Sequence, residues 1–378
     1  MTTPSWNLPR RVARRARRVP DQVRARFSTP RELRIAAKQA HEAHAFMTSE
    51  GISATWSNAV VVHAARARGL QVSGDQRGRV RLSDGHRTRY FDDGVANINS
   101  RMARRVVQNR QVTSRLLRAR RIRTPQSEVF GPDETHKAWA WAETLTPLTL
   151  LDPEAATRRK SNVPIDDRAT FVTSFKRMAQ AHPQVMVEEL VAGVTHRVLM
   201  VDGAVVAVSR LLPAHVVGNG RLDVASLVTA KNRARTASPN PIHGRIRLNA
   251  AARRELARQG LEPTSVPKPG QVVLLRSSPG PRFGGDAIDA TSELSAAEVQ
   301  FIESAARAFR GLRICRIDVA LPRDGQGAEP YVIEVNEAAD LATHHFPWQG
   351  QVRPAAGAVL HAMLPDSAPP PSTPTSSR

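Results

Sequence analysis

Two periodicities divide the chain. After Thr29-Pro30-Arg31-Glu32, with proline and an acid placed for a first helical turn, the apolar positions follow a helical spacing. A second helix is predicted over 57–68, ended by Gly69. Short alternating runs follow at 70–72, 78–82 and 88–91, the last two separated by the turn Asp84-Gly85. Helices followed by a hairpin predict a small α/β domain over residues 31–98. Residues 99–121 predict one long Arg-rich helix with Val106, Val107, Leu116 and Leu117 as its apolar stripe, stopping before Thr124-Pro125. Beyond it, strands are predicted at 185–191, 197–201, 205–209, 272–276, 314–320 and 331–336, and helices at 165–181 and 296–310. Asp202-Gly203 between two apolar runs is a hairpin signal. The proline-rich tail over 366–378 predicts no packed structure.

Composition narrows the class. The 378 residues are 41% hydrophobic and 24% charged, an ordinary globular balance that supports roughly two to three domains. One cysteine, Cys315, excludes a disulfide framework and a Cys-based zinc finger. No apolar run reaches the ~18 residues of a membrane span, and the start of the sequence has no signal-like apolar region, so a cytoplasmic protein is the expectation. The net charge is +21, and only 6 of the 55 basic residues are lysines. Residues 1–30 form a basic arm predicted to be disordered: eight arginines face Asp21 alone within residues 1–27. Such an arm suits peripheral contact with an acidic surface. Sequence-specific nucleic-acid binding is disfavoured, because aromatics are only 4% and no reader motif is present.

The chemistry concentrates near the C-terminus. Ile314-Cys-Arg-Ile-Asp318 and Tyr331-Val-Ile-Glu334-Val-Asn336 are joined by a Pro/Gly-rich loop and predict a hairpin. Alternation puts Glu334 and Asn336 on one strand face, with Asp318 on the partner strand. Two carboxylates ~4 Å apart repel by about 4 kcal/mol at an effective dielectric of ~20, and a hard cation removes that repulsion. Mg²⁺ favours a few such oxygens together with substrate phosphates. Asp318, Glu334 and Asn336 are therefore candidate metal ligands.

Several segments in order resemble the ATP-grasp family, in particular the ATP-grasp domain of cyanophycin synthetase and related amino-acid ligases. They are Val187-Glu188-Glu189 through Gly193 to His196-Arg197, then Arg210 through Pro213-Ala to Gly218-Asn-Gly220. Pro267 through Pro269-Gly270 to Arg276 follows, then Gly284-Gly285 to Asp289 and Thr291, and finally His344 with Phe346-Pro-Trp-Gln-Gly350. The likeness spans about residues 95–365. It implies an α/β (α+β) architecture: an ATP-grasp fold of two α+β subdomains clasping a nucleotide, over 99–195 and 196–365, after the small N-terminal domain. It further implies ATP and Mg²⁺ as cofactors, with Asp318, Glu334 and Asn336 as metal ligands. Glu188, Glu189 and Val191 would form the adenine hinge, and Arg197 and Arg210 would lie near the transferred phosphate.

The pattern departs from the family at nucleotide contacts. Asn109-Arg110 stands where the family carries Asp-Lys, and Leu151-Asp152-Pro153 where it carries Val-Lys-Pro. The phosphate-covering loop, Ala156-Thr-Arg158-Arg159-Lys160-Ser161, contains no glycine. Arg110, Arg158, Arg159 and Lys160 are the cations expected to meet phosphate instead. Ala339-Asp340 replaces the Pro-Gly that follows the metal asparagine. The resemblance implies an ATP- and Mg²⁺-dependent carboxylate–amine ligase acting on amino acids or short peptides through an acyl-phosphate. The alternative is a degenerate, non-catalytic ATP-grasp protein that binds an acidic partner. His344-His345 are read as a loop pair near the site, and Cys315 as an inert core residue.

Overall fold

The computed structural model describes residues 30–145, 147–151, 165–323 and 325–365. The basic arm, Asp152, Arg158, Arg159, Lys160 and the C-terminal tail lie outside these residues.

Helices α1 (Pro30–Ser49) and α2 (Trp56–Ala67) precede a four-stranded antiparallel sheet in the order β1 (Gln71–Gly74), β2 (Val80–Ser83), β3 (Thr88–Asp92), β4 (Val95–Ala96). Thr55 caps α2 by accepting the amide N–H of Asn58. The core under these elements does not close within residues 31–98. It takes in Leu341, Phe346, Val359 and Leu360 from the end of the chain, and Leu199, Ala207 and Ile314 from the central sheet. The N-terminal unit thus shares its core with the segment that covers the central sheet.

The expected single helix over 99–121 is two: α3 (Arg101–Gln108) and α4 (Arg110–Ala119). Asn109 between them takes an extended conformation (φ −103°, ψ 110°), and its side chain accepts the Val112 N–H as the N-cap of α4. An apolar stripe on both sides hid this break, because asparagine caps better than it propagates a helix. The consequence reaches the site: Arg110 becomes the first residue of a new helix.

A three-stranded antiparallel sheet has the order β5 (Ser127–Phe130), β7 (Val185–Glu189), β6 (Leu148–Leu151). It packs with α5 (Thr135–Ala142) and α6 (Arg168–Ala179) around Leu148, Leu150, Phe171 and Phe175. The central antiparallel sheet has the order β10 (Val272–Pro279), β9 (Ala204–Val217), β8 (Val194–Val201), β12 (Ile314–Leu321), β13 (Tyr331–Asn336). β11 (Asp286–Asp289) also pairs with β9. Asp202 (φ 49°) and Gly203 (φ 82°) make the tight β8–β9 turn, since both positions require the left-handed region. One face of the sheet packs Val198, Val208, Ile317 and Val319 against α9 (Ala296–Arg307) and α3. Helices α7 (Val224–Ala237) and α8 (Ala250–Arg258) pack with the β9–β10 end, and α10 (Leu341–His345) and α11 (Ala355–Met363) close the chain. Among the described residues no helix is long and apolar enough to cross a membrane.

Candidate active site

Antiparallel register lines up a polar row across the central sheet. Asp289 pairs with Ser209, Ser209 with Arg197, Arg197 with Asp318 and Asp318 with Glu334. Directly paired residues share a face, so these side chains emerge together. Arg316 and Asn336, also paired, lie two residues along on the same face. The rows on either side belong to the other face, where Ile317 and Val319 enter the core. Alternation brought the three candidate metal ligands together as expected: Asp318, Glu334 and Asn336 are all buried.

Arginines meet these acids. Arg197 donates from Nε and Nη2 to the two oxygens of Asp318, both at 3.0 Å, and from Nη1 to Asp340 at 2.7 Å. Arg316 donates to Glu334 at 2.7 Å and lies 3.4 Å from Asp318. Asn336 Nδ2 donates to the same Glu334 oxygen at 3.1 Å, while its Oδ1 accepts the Ala338 N–H. Arg110 reaches in from the start of α4. It donates to both oxygens of Glu188 on β7 (3.0 and 2.7 Å) and to the Ile333 carbonyl (3.0 Å), and lies 3.7 Å from Glu334. One guanidinium therefore ties the small sheet to the large one. Burial works against the charged form of Arg110 and Arg197, but the carboxylates around them, Glu188 and Asp318 foremost, hold both above the ordinary arginine range.

The closing helix α10 seals the row. Its N-cap Asp340 accepts from Thr343 as well as Arg197, and burial, which alone would raise this carboxyl, is outweighed by Arg197 so that it stays low. His344 Nδ1 pairs with Ser209 Oγ at 2.9 Å. Burial lowers its pKa to about 4 against the pull of Asp340, so it is neutral at pH 7. His344 and His345 thus sit on a short helix rather than in a loop. At the edge of the row Arg353 grips Asp289 with two bonds (3.0 and 2.8 Å).

The donor chemistry fits a hard cation. Two carboxylates are directly opposed beside the Asn336 amide, which turns its Nδ2 to Glu334 and its Oδ1 to the Ala338 N–H, and among the described residues four acids (Asp318, Glu334, Glu188, Asp340) meet three guanidiniums (Arg110, Arg197, Arg316). No group of three or more His, Cys, Asp or Glu among the described residues is assembled to hold a metal by itself. An ion here would need Asn336 and oxygens from a ligand to complete its shell, the habit of Mg²⁺.

Other expected site residues are placed differently. Glu188 presents its carboxylate to Arg110, Glu189 accepts the Gln126 N–H at 3.1 Å, and half-buried Val191 lies in the β7–β8 connection. Arg210 is not brought to the acid row. It pairs with His196 and Ile288 in the neighbouring row, on the opposite face. Sequence reasoning passed over Arg316 and the pairings of His344 with Ser209 and of Arg353 with Asp289, put His344 near the site without its partner, and read Asp340 only as a departure from the family pattern. Arg316 was recoverable, being two residues from Asp318 on a strand; the others depend on how α10 folds back.

No protein-family model matches the chain. It is 29% identical over 268 residues to cyanophycin synthetase of Nostoc sp. (strain PCC 7120), which covers 68% of this chain and 29% of that protein. It is 28% identical over 318 residues to the glutathione biosynthesis bifunctional protein GshAB of Enterococcus faecalis, covering 79% of this chain and 40% of the relative. The crystal structure of a bifunctional glutathione synthetase from Pasteurella multocida superposes with a TM-score of 0.60 at 24% identity, over 82% of this chain and 43% of that one. The chain is thus similar to ATP-grasp proteins. It spans less than half the length of these relatives. Its mixed α/β architecture is the ATP-grasp fold, and the polar row lies on the central sheet of that fold.

Proposed function

We propose that this ATP-grasp chain is an ATP-dependent carboxylate–amine ligase that joins amino-acid or short-peptide substrates. The observation that supports it best is the polar row, where Asp318, Glu334 and Asn336 meet Arg197 and Arg316 on one buried face. In the proposed reaction a substrate carboxylate oxygen attacks the γ-phosphorus of ATP, giving an acyl-phosphate and ADP. An amine nitrogen then attacks the acyl carbon, phosphate leaves, and the amine gives up a proton. Charge builds on phosphoryl oxygens in the first step. Arg197, aligned by Asp318 and Asp340, offers paired donors to that charge without reorganising. A divalent ion held by Asp318, Glu334 and Asn336 would neutralise phosphate oxygens. Arg110, locked to Glu188, keeps the two sheets at fixed distance so that the substrates meet in one geometry. Screening amino-acid pairs for ATP-dependent phosphate release tests this: turnover should appear with one pair and vanish in Asp318→Asn and Glu334→Gln, and turnover retained in both would remove the row from the reaction.

The second reading, a non-catalytic ATP-grasp protein, draws on a specific observation: the carboxylates of the row are already engaged by guanidiniums. It predicts nucleotide binding without phosphate release for every amino-acid pair.

A further inference from the structure

A cavity of about 260 Å³ lies where α7 approaches β9 and β11. Its apolar walls include Leu227, Ile288 and Trp348, and its polar residues are Lys231, Asp286, His215 and Gln349. Asp286 and Ile288 pair with Leu212 and Arg210, in rows of opposite parity to Asp289 and Ser209. The cavity is therefore set apart from the acid row.

Its charges do not balance. Buried Asp286 accepts from Lys231 at 2.7 Å and from Arg235 at 2.6 Å, so one carboxylate faces two cations. Neither nearby histidine adds a charge. His243 Nε2 accepts the Ala287 N–H, which requires the neutral ring, and burial lowers its pKa to about 3. His215 directs Nδ1 at the Pro213 carbonyl (2.8 Å), and burial lowers its pKa to about 4. Arg235 also donates to the carbonyls of Gly244, Gly284 and Gly285, so its charge is met within the protein, and Lys231, whose charged form burial disfavours, is the cation that faces the cavity. Lys231 Nζ uses two hydrogens, on Asp286 and on the His215 carbonyl (3.0 Å), and the third has no partner among the described residues. Arg210, paired with Ile288 in the sheet, is 8% exposed, and its Nε has no hydrogen-bond partner among the described residues. Trp348 is held in place by the Arg235 guanidinium 5.1 Å from its ring centroid.

We infer that this cavity binds a small monocarboxylate with an apolar tail, namely an amino acid or the last residue of a peptide. The Lys231 ammonium pairs with the carboxylate, and Leu227, Ile288 and Trp348 enclose the tail. The volume lies below the usual range for drug-sized ligands, too small for a nucleotide. The apolar walls favour a tailed acid over inorganic phosphate.

Calorimetric titration of the full chain with N-acetyl-leucine, N-acetyl-leucinamide and inorganic phosphate tests the inference without reference to turnover. The acid should bind in the millimolar range or tighter, with the amide and phosphate about tenfold or more weaker. Lys231→Met should lose the acid. Leu227→Trp, which fills the cavity and leaves every charge in place, should lose it as well while the melting temperature is kept. Acid and amide binding alike, phosphate binding as well as the acid, no binding of the acid, or binding undiminished in Leu227→Trp would each overturn it; if Lys231→Met does not fold, Leu227→Trp decides.

Discussion

Two buried charge clusters sit on this sheet, and they err in opposite directions. Around Asp318 and Glu334, among the described residues, four acids meet three arginines, a formal excess of one acid. Around Asp286, one acid meets Lys231 and Arg235 and the surplus is positive. Both clusters are deep enough that a leftover charge is expensive. On the readings proposed above, the first would attract a cation and the phosphates it carries, and the second an anion. The sign of the residual charge, rather than the number of ion pairs, separates the two expected ligands.

The largest effects should come from removing the acid that anchors each cluster. Asp286→Ala leaves two buried cations facing each other and should cost about 5 kcal/mol in urea denaturation, at the upper end for a broken buried pair. Glu188→Ala should cost less, about 3 kcal/mol, because Arg110 keeps Glu334 within 3.7 Å. The reverse order would mean that the two surpluses are misassigned.

Acid should strike both clusters through their histidines. His215 and His344 titrate at about 4 and His243 at about 3 in the folded chain, all below the ordinary value near 6.5 because burial disfavours the charged ring. The unfolded chain therefore binds more protons between pH 6.5 and 4. Stability is at its full value above pH 6.5 and falls as the pH drops toward 4, by up to about 3 kcal/mol per histidine. Denaturation at pH 7 and pH 4.5 measures the loss, and His344→Gln should flatten the slope; an unchanged slope would mean that this ring is not held neutral.

Arg316 sharpens the comparison further. It donates to Glu334 and so competes with a cation for that oxygen. Arg316→Met should tighten Mn²⁺ binding, read by electron paramagnetic resonance, by about tenfold, equal to about 1.4 kcal/mol. Weaker binding would show that Arg316 supports the ion. The smallest effect is expected at Arg210, which alternation turns away from the acid row. Arg210→Gln should change Mg·ATP affinity by less than about threefold; a large loss would bring this side chain back to the nucleotide.

Much of this was legible in the chain, and the limits are physical. Period-two alternation holds from Arg316 to Asp318 against Asn336 to Glu334, where Ile317 and Val335 are buried on the other side, and the register shifts beyond Asp318, where Val319 pairs with Val332. The likeness to ATP-grasp motifs predicted the fold without error in class. It also grouped Arg197 with Arg210, although their ladder positions, opposite Ser209 and His196, put them on different faces. A one-residue difference in pairing cannot be read from spacing alone. The division at Asn109 was hidden for another reason: its cap competes with an otherwise continuous helical pattern. The shared core that joins α2 to α10 and α11 is a long-range choice, invisible to any local window.

Calorimetric titration of Mg·ATP into the intact chain tests the acid row most directly. Saturable binding that is lost in Asp318→Asn and Glu334→Gln, with both variants folded, is the predicted result. Absence of binding by the unaltered chain, or equal binding by all three proteins, would contradict it.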